Sequence, residues 1–330
     1  MVRFAVLGCG RIGRMHALNL ARHPRAHLAY VYDVVEQVAA AAAEATGARR
    51  ARAIDEALGA PDVEAVLIAS PTDTHLDLLV RAVEAGKAVL CEKPIDLDLA
   101  KVDASWARIA DRKPTILVGF NRRFDPSFKV LRDRLQAGEI GRLEQVVITS
   151  RDPGPPPIAY IETSGGLFRD MTIHDFDMAR YLMGDIAAVH AIGANLVDPA
   201  IGQAGDVDAA MITLLARSGA LCQISNSRRS AYGYDQRIEA FGEAGMLQAG
   251  NQRPTTVSFW GAAATDARDP VLHFFIERYT PAYLAEIDHF VDCVEKGATP
   301  LAGYRDGREA LRLADAALES MRTGRTVRLD

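Results

Sequence analysis

The stretch Arg3-Phe4-Ala5-Val6-Leu7-Gly8-Cys9-Gly10-Arg11-Ile12-Gly13, followed by the helical run Arg14–Arg22, reads as strand, glycine turn and helix. Gly8 permits the tight turn, Gly10 lets the backbone approach a pyrophosphate, and Gly13 allows the helix to pack closely. The helix N-terminus offers unpaired N–H groups to phosphates, with Arg11 and Ile12 in the turn that leads into it as further cofactor-binding candidates. The next apolar strand, His27–Tyr32, ends in Asp33, twenty residues beyond Gly13. An acidic side chain at that distance accepts hydrogen bonds from the ribose hydroxyls of NAD. The glycine triplet alone is a weak signal, since an ordinary glycine turn and an exposed Asp give the same string; the pairing with Asp33 makes it specific. Val34 and Val35 follow Asp33 where an Arg would hold a 2′-phosphate, which favours NAD over NADP, while Arg49, Arg50 and Arg52 keep NADP open.

Outward from this start, strand-like runs recur at Ala65–Ala69, Ala88–Cys91 and Thr115–Gly119, separated by helical stretches Thr74–Ala85 and Leu99–Asp111. That alternation predicts a parallel doubly wound sheet, an α/β Rossmann domain with its cofactor across the C-terminal strand ends. Two of those ends carry unusual residues. Ser70-Pro71-Thr72-Asp73-Thr74-His75 either borders the nicotinamide half of the cofactor, through Ser70, Thr72 and His75, or forms an N-cap at Thr72 or Asp73; the two readings are compatible. Cys91-Glu92-Lys93-Pro94 places a Glu and a Lys at the same rim, before a proline that biases Lys93 toward extended backbone. A surface ion pair is the plain reading, and a Lys at the rim of a cofactor crevice is also a candidate for chemistry.

Beyond residue 120 the pattern changes. A helix is expected near Pro126–Ala137, then strands at Glu144–Ser150, Ala187–Ala194, Ala209–Leu215, Gly219–Ser227, Arg237–Gly242 and Thr255–Trp260. Neighbouring strands suggest an open, largely antiparallel sheet in an α+β domain. The expected division is 1–120 for cofactor binding and 121–330 for substrate binding and oligomerisation. Ala282–Lys296 and Asp306–Arg322 read as amphipathic helices for core packing. After Gly165-Gly166 another helix carries Asp170, His174 and Asp177 at i, i+4 and i+7, which puts them on one face. Such a row is a solvent-facing stripe, an inward row needing partners, or a metal site. One helix face without a second His/Cys cluster argues against metal.

Composition bounds the function class. Hydrophobic residues make up 49% and charged residues 25% of 330, which gives ample core, and the length favours two domains. A net charge of −5 gives no field to hold a polyanion, so nucleic acid is not expected as a partner. No apolar run reaches the roughly 20 residues a membrane helix needs, and no leader pattern precedes the first strand, so a cytoplasmic protein is expected. Cys9, Cys91, Cys222 and Cys293 lack paired spacing and read as free buried thiols.

The N-terminal fingerprint, Glu92-Lys93-Pro94 and Gly119-Phe120-Asn121-Arg122-Arg123-Phe124 together resemble the Gfo/Idh/MocA oxidoreductases over the whole chain. The resemblance implies that Lys93 is catalytic beside the nicotinamide, with Glu92 supporting it. It implies a hinge at Gly119–Arg123 that lends Arg122 or Arg123 to the substrate pocket; Arg123 is carried forward as the candidate. Asp170, His174 and Asp177 are similar to the family's signature in which the His transfers the proton and the first Asp binds a substrate hydroxyl. On this reading His174 is the base near neutral pH, and Lys93, beside a positively charged ring, shares the proton or stabilises the alkoxide. The stretch from Ser150 to Asp175, with Tyr232-Gly233-Tyr234-Asp235, resembles the members that oxidise inositols, with Asp152, Tyr232 and Tyr234 as pocket candidates. This implies NAD-dependent conversion of myo-inositol to scyllo-inosose without a catalytic metal, in a homo-oligomer with a tetramer favoured. Scyllo- or chiro-inositol and aldoses are the alternative substrates, and an NAD-binding sensor without turnover is the alternative class.

Overall fold

The computed structural model describes residues 1–329, which group into two compact units. The first contains residues 1–121 and Ala282–Leu311; the second contains Arg122–Pro281 and the chain from Arg312 onward.

In the first unit, β1 (Val2–Leu7), β2 (Ala26–Tyr32), β3 (Arg49–Arg50), β4 (Ala65–Ile68), β5 (Ala88–Cys91) and β6 (Ile116–Val118) form an all-parallel sheet in the order β3-β2-β1-β4-β5-β6. Its central strands are continuous apolar runs, and Ala65–Ile68 is buried at every position, as a sheet covered by helices on both faces requires. The order reverses between β1 and β4, so Gly8 and Ser70 leave adjacent strands at the switch point where such sheets bind ligands. The expected elements occur within about two residues of their bounds. The short β3 and the helix Ile54–Gly59 went unseen, because Arg49-Arg50 carries no apolar pattern and joins the sheet only by backbone pairing with Tyr30 and Val31.

The simple division after residue 120 omits a return of the chain. The expected helix Ala282–Lys296 is the latter part of a longer one, Phe275–Lys296, and from Ala282 it groups with the first unit. Phe290 lies against Phe4 with ring centroids 6.0 Å apart, and Tyr304 stacks on Trp106 while its hydroxyl donates to the Val102 carbonyl. An amphipathic pattern says that a helix is covered, not by what.

That return buries Glu286 completely, and among the described residues neither of its carboxylate oxygens has a hydrogen-bond partner. Burial, with Glu92 nearby as a second acid, pushes its pKa well above the ordinary 4.5. The fold therefore holds a proton that the unfolded chain releases. Stability contributed at low pH falls as pH rises from about 4.5 toward the folded-state value, by about 1.4 kcal/mol per pH unit. Glu286→Gln removes this slope, so its melting temperature is expected to gain on wild type steadily from pH 5 to higher pH in scanning calorimetry. Parallel curves would contradict a neutral Glu286.

In the second unit, β7 (Leu143–Arg151), β8 (Ile186–Ala194), β9 (Ala209–Ala216), β10 (Leu221–Ser227), β11 (Asp235–Gly242), β12 (Gly245–Ala249) and, beyond the hairpin strands β13 (Ser258–Gly261) and β14 (Ala264–Arg268), β15 (Val327–Arg328) complete the strands. The large sheet runs β12-β11-β7-β10-β9-β8-β15 and is antiparallel except for the β7–β10 pair. Along β9 the residues Ala210, Ile212, Leu214 and Ala216 are buried while Met211 is exposed, the alternation of a sheet covered on one face. The strand expected at Thr255–Trp260 belongs instead to the two-stranded β13–β14 hairpin, whose Phe259 and Trp260 are exposed.

Candidate functional site

The turn after β1 has the shape of a dinucleotide cradle. Gly8 has φ +91°, and a Cβ there would stand 2.4 Å from the Ser70 amide nitrogen; a Cβ on Gly13 would stand 1.9 Å from the Gly8 carbonyl oxygen. Only glycine permits this closeness. A Cβ on Gly10 would meet nothing within 4 Å, and no side chain caps the helix Arg11–Arg22, so its first amides face open space. Asp33 is held beside them: its Oδ2 accepts from the Cys9 amide at 2.7 Å and its Oδ1 from the Val35 amide at 2.8 Å. Fixed amides and a fixed carboxylate are the donor and acceptor set that NAD's pyrophosphate and ribose diol require, so the residues fit this cofactor. Of the arginines that kept NADP open, Arg50 is paired with Glu36, and Arg49 lies over the Tyr30 ring and pairs with Asp62.

The rims after β4 and β5 are tied together by His75, which is buried; its Nδ1 faces the Pro94 carbonyl at 2.7 Å and its Nε2 the Ser70 carbonyl at 2.8 Å. His75 is thus a brace between the two rim loops. The expected cap at Thr72 or Asp73 is not formed: the helix Thr72–Glu84 begins after Pro71 without a side-chain cap, and Ser70 Oγ instead contacts Thr74 Oγ1 at 2.6 Å. Glu92 Oε1 meets the buried His16 Nε2 at 2.9 Å. With its carboxylate engaged below the rim, Glu92 supports the loop that presents Lys93, which is partly exposed.

In the second unit the expected helix after Gly165-Gly166 starts with a π turn, Phe168–Thr172, before the α-helix Ile173–Met183. The single face expected for Asp170, His174 and Asp177 is not kept. Asp170 and His174 are partly exposed, whereas Asp177 is buried and takes a two-point grip from Arg123, Nε–Oδ2 2.8 Å and Nη2–Oδ1 2.5 Å. Three α-helical steps leave Asp177 about 60° round the axis from His174, enough to turn it to another neighbour. Asp170 is held by two groups: Tyr160 Oη donates to Oδ1 at 2.9 Å, and Arg228 Nη1 contacts Oδ2 at 3.3 Å.

The two adjacent arginines separate clearly. Arg123 is committed to Asp177 and packs over the Tyr181 ring. Arg122 pairs with buried Asp175 at 2.5 Å, donates to Ser150 Oγ at 3.2 Å, and its charge is felt by Asp152 and Tyr234. Arg122, not Arg123, therefore accompanies the pocket candidates. Burial pushes the Asp152 carboxyl up to about 7; Arg228 and Arg122 oppose this and Asp170 and Asp175 reinforce it. Burial also holds the Tyr234 phenol well above 10, so it stays a neutral hydroxyl, edge-on to Tyr279 at 5.9 Å. Tyr232 is tied up with Asp235 at 2.6 Å and Arg151 at 3.0 Å.

The second unit thus brings together Asp152, Asp170 and Tyr234, with Arg122, Arg228 and Tyr279 around them. Arg228 and Tyr160 carried no signal in the sequence: the first sits among the polar residues Ser227-Arg228-Arg229-Ser230, and the second in the short helix Ile158–Ser164 that follows the proline-rich run. Among the described residues no group of His, Cys, Asp and Glu has the arrangement of a metal site, and no helix is long and apolar enough to cross a membrane.

Residues 2–120 match the oxidoreductase family with NAD-binding Rossmann fold, and residues 128–248 match the GFO/IDH/MocA C-terminal domain. A Rhizobium meliloti (strain 1021) protein named inositol 2-dehydrogenase is 49% identical over 328 residues, 99% of this chain and 98% of its own. The crystal structure of a myo-inositol dehydrogenase from Corynebacterium glutamicum superposes with a TM-score of 0.97 at 48% identity, covering 100% of this chain and 99% of that one. A scyllo-inositol dehydrogenase from Lactobacillus casei, solved with NAD(H) and scyllo-inositol, gives a TM-score of 0.92 at 28% identity and covers 99% of each chain.

Proposed function

This chain belongs to the GFO/IDH/MocA oxidoreductases, and on that premise we propose that it is an inositol 2-dehydrogenase that oxidises the ring hydroxyl of myo-inositol to scyllo-inosose. It is an NAD-dependent oxidoreductase. When bound, NAD takes the hydride from the carbinol carbon. The observation that carries the substrate reading is full-length identity of 49% to a named inositol 2-dehydrogenase, joined to a polar cluster of Asp152, Asp170 and Tyr234 suited to a ring of hydroxyls.

The chain's own residues divide the work. His174 takes the hydroxyl proton as the alkoxide develops. Lys93, as an ammonium, stabilises that developing charge. Asp170, pinned by Tyr160 and Arg228, orients a substrate hydroxyl by accepting from it. Asp152 and Tyr234 bind further hydroxyls, and Arg122 replaces Arg123 as the arginine beside them. Gly8, Gly10, Arg11, Ile12, Gly13 and Asp33 hold the cofactor; Ser70 and Thr72 border its nicotinamide half, and His75 and Glu92 brace the rims.

The exposed face of the large sheet carries Ile192 opposite Met211 and Phe241 opposite Met246, with Leu221 and Val147 also exposed, which supports self-association, with a homotetramer as the reading that light scattering would check. Four buried cysteines without a disulfide fit a reducing, cytoplasmic setting. NADH formation with myo-, scyllo- and chiro-inositol and glucose tests the substrate. Turnover strongest on myo-inositol is expected; tight NAD binding with no turnover on any of them would favour a sensor.

A further inference from the structure

Three acids converge on one buried guanidinium. Arg228 follows β10, is 1% exposed, and is anchored by its own amide, which donates to the Asp208 carbonyl at 2.8 Å. Its Nη1 lies 3.3 Å from Asp170 Oδ2 and its Nη2 3.7 Å from Asp206 Oδ2. Asp206 in turn accepts from the Leu167 amide at 3.0 Å through Oδ1, just ahead of the π turn that carries Asp170. Arg228 therefore meets that turn directly at Asp170, with Asp206 as a second, looser ionic neighbour. Asp152, the residue after β7, is the third acid: its amide donates to the carbonyl of Ser227, the neighbour of Arg228, at 2.9 Å, and its carboxyl is drawn to Arg228 and repelled by Asp170. Asp152 faces Arg228 and Arg122 on one side of the balance and Asp170 and Asp175 on the other, and its removal from water adds to the second, which favours a proton on Asp152. Asp170 has the closer contact to Arg228 and a hydroxyl donor in Tyr160, both of which favour its ionised form.

We propose that Arg228 is a positioning residue for the reaction: it fixes Asp170 as an oriented carboxylate and leaves the cluster's proton on Asp152. The pocket then offers one carboxylate that accepts from a substrate hydroxyl and one carboxylic acid that donates to another. This rests on the polyol reading above, and it names what that reading leaves open, the polarity of recognition at each acid. A ring bearing hydroxyls on successive carbons satisfies both, because each hydroxyl both donates and accepts. The position of Asp152 near neutrality agrees with a retained proton, and the charged and titratable groups facing it are Arg228, Asp170, Arg122, Asp175 and Tyr234.

The test is the infrared carboxylic-acid C=O band of the full-length protein, titrated in wild type, Asp152→Asn, Arg228→Met and Arg228→Lys. Glu286 keeps a proton of its own and contributes to this band in every variant, so the signal read is the component present at pH 6 in wild type and lost in Asp152→Asn. In Arg228→Met its midpoint moves up by about one pH unit, since an opposite charge has been removed, and in Arg228→Lys, which keeps the charge, it stays near wild type. In parallel, KM for myo-inositol is expected to rise at least about tenfold in Arg228→Met, the loss of roughly one oriented hydrogen bond to a charged group, with a smaller change in kcat. A wild-type protein without that component at pH 6 overturns the proposal even if Arg228→Met fails to fold. An unmoved midpoint in a folded Arg228→Met overturns it too. If the band behaves as expected but no inositol is turned over, the substrate reading has failed and the charge arrangement stands.

Discussion

Replacing Lys93 by alanine is expected to lower kcat/KM for myo-inositol by roughly 10²–10⁴-fold, the range that a group positioned on the developing alkoxide supplies. Lys93 leaves the end of β5 at the rim of a sheet whose switch point holds the dinucleotide cradle, and Glu92 beside it is locked to His16 beneath. The cradle itself is made by Gly8, Gly10, Gly13 and Asp33, none of which depends on Lys93. NAD affinity, read by quenching of protein fluorescence, should therefore change only a few-fold while turnover collapses. A variant that loses NAD binding and turnover in proportion would reassign Lys93 to cofactor binding alone.

The second large effect is on stability. Asp177→Ala strips the buried Arg123 guanidinium of its two-point partner. Breaking one side of a buried ion pair costs about 3–5 kcal/mol. Urea unfolding should show that loss as a lower midpoint at unchanged slope, and a second change, Arg123→Met, should recover part of it by replacing the buried cation with an apolar side chain. A cost below about 1 kcal/mol would mean that Arg123 is free to serve elsewhere, and would revive it as a substrate ligand.

These two cases show what a sequence discloses. Gly8, Gly13 and Asp33 were legible because each answers a backbone or hydrogen-bond constraint local to one strand, turn and helix. The parallel order followed from apolar runs alternating with helices. Arg122 and Arg123 were indistinguishable because they are adjacent, and what separates them is which of Asp175 and Asp177, some fifty residues away, each one meets. Spacing does not show that Asp177, three residues after His174 in the same helix, is buried on Arg123 while His174 stays partly exposed, so the row Asp170, His174 and Asp177 looked like one face. Arg228 stands in a polar run with no motif or spacing to single it out, and only folding brings it to Asp170 and Asp206 and within reach of Asp152. The return of Ala282–Leu311 to the first unit was hidden for a related reason, since amphipathicity records burial without naming the partner.

The most direct test of the central claim is hydride tracing: myo-inositol deuterated at C2 is incubated with the protein and NAD, and the reduced cofactor and the product are examined by mass spectrometry and NMR. Deuterium at C4 of the reduced nicotinamide, with scyllo-inosose as the partner product, is the predicted result. Reduced cofactor without deuterium, or no reduced cofactor at all from any inositol, would contradict it.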